Sequence, residues 1–92
     1  MKKFAIGVNG GFVSGKLFSN IENVINWFEQ HVKGDIFILE NGEKISVNSV
    51  TDLVDKLLEA EDGNGAIHVV ADGLVERGDD YAEMYIYEFD DE

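Results

Sequence analysis

Two short runs of strand composition, Asp35 to Glu40 and Glu43 to Val47, are separated only by Asn41-Gly42. An Asn-Gly pair accepts positive φ at both positions, as a two-residue type I′ turn demands, and that turn holds its flanking strands in an antiparallel hairpin. The hairpin is bracketed by helical patterns. Upstream, Ile21, Val24, Ile25, Phe28 and Val32 recur at three- and four-residue spacing, with Trp27 and His31 on the flank. The capping-box spacing Ser19-Asn-Ile-Glu22 opens this helix at about Asn20, and Lys33-Gly34 closes it. Downstream, Ser49 offers an N-cap with Asp52 at the third helical position, and Val50, Leu53, Val54, Leu57 and Leu58 share one face. Lys2 to Val8 alternates Phe4, Ile6 and Val8 with Lys3, Ala5 and Gly7, the period of a half-buried strand. Gly63 and Gly65 break the chain before Ala66 to Ala71, which has the composition of an interior strand. In the tail, Tyr81, Met84, Tyr85 and Glu88 fit one side of a helix, whereas Met84 to Phe89 has strand composition.

Residues 1–92 make a single domain, because 92 residues cannot enclose two cores. With no cysteine there is no disulfide framework and no thiol nucleophile, and two histidines leave few ways to build a transition-metal site. The expectation is no metal and no cofactor. Lys2 and Lys3 precede an apolar patch that Asn9-Gly10 interrupts, too short for a secretory signal or a membrane span, so the chain reads as cytoplasmic. Nineteen acids against seven bases give a net charge of −12. Residues 1–21 carry three lysines and no acid, whereas residues 59–92 carry twelve acids and one arginine. Such a field repels phosphate backbones and anionic lipid, which argues against nucleic acid or membrane as a partner and leaves a protein partner.

The order strand, helix, hairpin, helix, strand, with Asp35-Ile-Phe-Ile-Leu-Glu-Asn-Gly-Glu-Lys-Ile-Ser-Val-Asn-Ser49 at its centre and Ala66-Ile-His-Val-Val-Ala-Asp-Gly73 near its end, resembles HPr, the histidine-containing phosphocarrier family of bacterial sugar uptake. The resemblance covers about residues 2 to 75. It implies an α+β two-layer sandwich, β-α-β-β-α-β-α, whose four-stranded antiparallel sheet has the order 1-4-2-3 and helices on one face. The family ends in an amphipathic helix, which favours the helical reading of the tail. The family's phosphate-accepting histidine, the arginine two residues on and the proline after it fall on Phe18, Asn20 and Ile21, and a benzyl side chain offers no nucleophile. His31 stands at the far end of the same helix, and His68 in the last strand of the resemblance. Ser49 matches a serine that is phosphorylated in some members of the family, although Asp52 would repel added phosphate there.

Gly10 to Leu17 nearly spells a phosphate-binding loop, but Leu17 stands where a hydroxyl must meet magnesium, and no second nucleotide motif follows. No serine, histidine and acid fall in a hydrolase order, so the chain reads as non-enzymatic. Phe12, Phe18 and Trp27 are large apolar groups in or beside polar segments, a pattern of core-edge packing or of an interface. The sequence therefore points to a non-catalytic HPr-like domain, lacking phosphocarrier activity, that binds a protein in phosphotransferase or carbohydrate regulation. Its candidate surface is Phe12, Lys16, Phe18, Asn20 and Ile21, with Ser49 as a phosphorylation position. The alternative is an acidic interaction protein occupying a basic site of its partner, as nucleic-acid mimics and phage inhibitors do.

Overall fold

A computed structural model describes residues 2–13, 17–60 and 67–90. In chain order the elements are β1 (Lys2–Val8), β2 (Gly11–Phe12), α1 (Ile21–His31), β3 (Lys33–Glu40), β4 (Glu43–Val47), α2 (Val50–Glu59), β5 (Ile67–Asp72) and β6 (Ala82–Asp90). All six strands join one antiparallel sheet in the order β2-β1-β6-β5-β3-β4.

That order corrects the four-stranded sheet expected from the resemblance. The tail is not a helix but β6, which lies between β1 and β5 and hydrogen-bonds to both. Ala82, Met84 and Ile86 point into the core while Glu83, Tyr85, Tyr87 and Phe89 point away, a strict period of two that helical packing could not satisfy. β2 adds a sixth strand by folding back on β1 through Asn9-Gly10, both at positive φ.

The other elements follow their local chemistry. Asn41 (φ 53°) and Gly42 (φ 81°) form the turn between β3 and β4, with Glu40 paired to Glu43. Ser49 caps α2 by accepting a hydrogen bond from the Asp52 amide at 3.2 Å. At α1 the cap is Asn20 rather than Ser19: the Asn20 side-chain oxygen accepts from the Asn23 amide at 2.8 Å, while Ser19 Oγ accepts from the Asn23 side chain. The helix therefore starts one residue later than the Ser19–Glu22 spacing implies, with the asparagine capping the amide three positions on. α1 ends at His31, whose Nδ1 lies 2.7 Å from the Trp27 carbonyl and whose ring stacks on the Trp27 indole. Val32 leaves the helix and Lys33 already belongs to β3, where Gly34 (φ 76°) accommodates a break in register before Phe37. The strand expected from Ala66 is described from Ile67, and the glycine break at Gly63 and Gly65 lies outside the described residues.

One face of the sheet carries the core. Phe4 and Ile6 of β1, Ile36 of β3, Val47 of β4, Val69 and Ala71 of β5, and Ala82 and Met84 of β6 meet Val24 and Phe28 of α1 and Leu53, Val54 and Leu57 of α2. Both helices thus lie on the same side, and Leu74 of the turn after β5 closes one end. Among the described residues no helix is long and apolar enough to cross a membrane.

Candidate functional site

The opposite face of the sheet is covered by no described element, and its composition is unusual for a chain of charge −12. Partners across an antiparallel ladder point to the same side, so the register states what this face displays. β6 contributes Tyr85, Tyr87 and Phe89, opposite Gly7, Ala5 and Lys3 of β1, and Phe12 of β2 stands beside Gly7. Beyond β6, the face continues through His68 and Val70 of β5 and Leu39 and Phe37 of β3. The charged residues paired at these outward ladder positions are Lys3, Lys33 and Lys44 against Asp72 and Glu83. Acids gather at one margin of the face, where Asp35, Asp72, Asp79 and Asp80 line a hollow with Phe37, Lys44 and Val70.

Small residues on β1 make the aromatic cluster possible. A Cβ on Gly7 would run into the Tyr85 ring, so the ring lies directly across the glycine backbone. Ala5, opposite Tyr87, is only 3% exposed. The rings interlock at inclined angles: Tyr85 and Tyr87 are 4.5 Å apart at 68°, and Phe12 stands 5.8 Å from Tyr87 and 6.4 Å from Tyr85. Tyr87 also meets Phe89 at 6.2 Å and 50°. Edge-to-face contacts of this kind hold the cluster in one arrangement. They also bear on its use. A platform for successive stacked bases needs ring faces presented parallel to one another, whereas these rings are mutually inclined by 50–77°. Phe12 nevertheless remains 56% exposed and Phe89 42%. Large apolar groups left wet around a rigid tyrosine pair have the make-up of a protein-docking patch.

The phenol of Tyr85 is raised above its ordinary pKa of 10.0, chiefly by desolvation and further by the neighbouring Tyr87 phenol. An alkaline absorbance titration should show a late component that Tyr85→Phe removes. A folded-state value above the unfolded one means that the native fold holds this proton more firmly. Its contribution is complete below pH 10.0 and is lost as the pH climbs through the higher Tyr85 value. An absorbance change that Tyr85→Phe removes only at or below the ordinary position would refute the desolvation of this phenol.

Two further features flank the cluster. His68 stacks on Tyr81 at 4.1 Å, and its Nε2 lies 3.4 Å from Glu83 Oε1. Lys44 Nζ sits 5.9 Å from the Phe37 ring centroid.

The residues singled out from sequence are not brought together as one surface. Phe12 joins the aromatic cluster. Phe18 lies on the other side of the sheet plane, half-buried against the core, and its backbone exchanges hydrogen bonds of 2.7 and 2.8 Å with Phe4. Asn20 is engaged as the α1 cap, Ile21 packs against the core, and Lys16 lies outside the described residues. Trp27 is half-buried against Phe28 and His31. Ser49 is exposed and serves as the α2 cap. Sequence reasoning missed Tyr85, Tyr87 and Phe89. Their signal was the Tyr-x-Tyr-x-Phe alternation set against Gly-x-Ala-x-Lys read backwards in β1. No protein family, no curated protein and no solved structure matches this chain.

Proposed function

We propose that this chain is a non-catalytic protein-binding domain of the cytoplasm that docks through the uncovered face of its sheet. The observation that carries the reading is the interlocked aromatic cluster of Phe12, Tyr85, Tyr87 and Phe89 on the uncovered face, with Phe12 and Phe89 left exposed. Its partner presents an apolar, weakly charged patch of similar flatness. A cysteine-free core held by packing suits a reducing compartment.

The acid field is less suited to serve as the anchor. Among the described residues, acids of the C-terminal third are divided among the end of α2 (Glu59), the turn after β5 (Glu76, Asp79, Asp80), the open face (Asp72, Glu83) and the core-side positions of β6 (Glu88, Asp90). Glu88 already faces Lys2 at 3.7 Å.

Affinity capture from the chain's own cells, comparing wild type with Tyr87→Arg, tests the reading. A protein retained by wild type above about 0.3 M salt, where exposed charges are screened within about 6 Å, should be lost with Tyr87→Arg. Retention of every captured protein by Tyr87→Arg, or release of all of them by salt alone, would reject it.

A further inference from the structure

Resting on the reading that the open sheet face is a docking surface, we propose that its occupant is a second copy of this chain. The two copies pack face to face about a two-fold axis crossing β1 and β6 between the Tyr85 and Tyr87 rows. The ladder makes this patch self-complementary. Gly7 pairs with Tyr85 and Ala5 with Tyr87, the next row outward on one side is Lys3 with Phe89, and the next on the other side carries Glu83, whose carbonyl accepts from the Asn9 amide. At about 3.4 Å per residue, the Lys3 row and the Glu83 row each lie about 10 Å from the axis. The two-fold operation therefore sets Lys3 of one copy against Glu83 of the other, twice, and lays the Tyr85 ring of each over the Tyr87 ring of its mate. A closed isologous contact requires this kind of match.

Charge places the contact on these rows and not across the whole face. Two chains of charge −12 repel wherever their acids meet, and the outward positions of the β1–β6 rows offer one base and one acid, Lys3 and Glu83, whereas Asp35, Asp72, Asp79 and Asp80 gather around Phe37, Lys44 and Val70 toward β5 and β3. The overlap involves β2, β1 and β6, a footprint of roughly 15 by 20 Å at ordinary strand spacing. That is below the roughly 800 Å² per partner of a standard interface, so the dimer is a weak, reversible one. Sheets packed in this way keep their strands within about 30° of alignment.

Sedimentation equilibrium of the full chain, from about 10 µM to about 1 mM, tests the proposal. The weight-average mass should rise from 10.2 kDa toward twice that value. Association should strengthen as salt is raised to about 0.3 M, because screening relieves the repulsion between acidic chains more than it weakens two rim pairs. Lys3→Glu and Glu83→Lys should each weaken association about tenfold, and combining them should restore most of it. Glu83→Lys is the sharper of the two: it makes the chain less negative, which would favour any unspecific association, yet weakening is expected. Both positions are on the surface, and thermal melts verify that each variant is folded.

A mass of 10.2 kDa throughout the range, or a double variant no better than the single ones, overturns the proposal. If the mass stays flat while Tyr87→Arg still releases a captured protein, self-association alone is refuted and the docking face stands. If Tyr87→Arg alters neither measurement, both fall.

Discussion

Ending the chain after Tyr81 should abolish cooperative folding. Residues 82–90 form β6, which pairs with β1 along seven residues, Lys2 to Val8, and with β5 along three, Ile67 to Val69. Without it, β1 keeps, among the described residues, only the two-residue β2 and the Phe18 bridge as ladder neighbours, and the core loses Ala82 and Met84, both 0% exposed in the intact chain. Burying a side chain such as Met contributes roughly 1.5–3 kcal/mol, and a domain of this size has about 5–10 kcal/mol in total. Loss of one central strand exceeds that margin. The shortened chain should show no sigmoidal thermal transition by circular dichroism and a collapsed amide spectrum by NMR. Retention of a cooperative melt near that of the full chain would mean that the sheet closes without β6.

The same element marks where the sequence stopped being legible. The hairpin at Asn41-Gly42, the Ser49 cap, the stripe of Ile21, Val24 and Phe28 and the alternation of β1 are all local patterns, and the structure has them within a residue or two. The tail carried two patterns at once. Its strand signal, Ala82, Met84 and Ile86 against Glu83, Tyr85 and Tyr87, could be distinguished from a helix only by its pairing with β1, some eighty residues away. Local propensity carries no information on such a distant partner. The candidate site suffered for the same reason. Phe12 and Phe18 are six residues apart and equally aromatic, yet one joins the open face and the other the core side, because Phe12 is paired with the outward-facing Gly7 and Phe18 with the inward-facing Phe4.

Gly73→Ala should destabilise the domain by about 2–4 kcal/mol, which for a chain of this length lowers the melting temperature by on the order of 10–25 °C. Gly73 ends β5 at φ +91°, and a Cβ there would collide with the carbonyl oxygen of His31 at the end of α1. A side-chain neighbour could rotate away; a backbone carbonyl held at a helix terminus cannot. Gly42 provides the control, since its φ of +81° is similar and a Cβ on it would meet nothing within 4 Å. Gly42→Ala should therefore cost only about 1 kcal/mol, the penalty of the left-handed conformation alone. Urea denaturation of both variants separates steric collision from backbone strain, and equal losses would show that the approach of Gly73 to α1 is not tight.

Between β5 and β6 the described ladder has three residue pairs, whereas β6 is matched to β1 along seven. The sheet is thus two ribbons, β2-β1-β6 and β5-β3-β4, basted together by a short stitch. What keeps them in one piece is the layer above, where α2 touches β6 on one ribbon and β4 on the other, and α1 leans on both β1 and α2. The helices act as a splint. Thermal flexing of the molecule should concentrate in a change of dihedral angle between the ribbons, and anything pressed against the far side of the sheet would feel that joint give before any strand did.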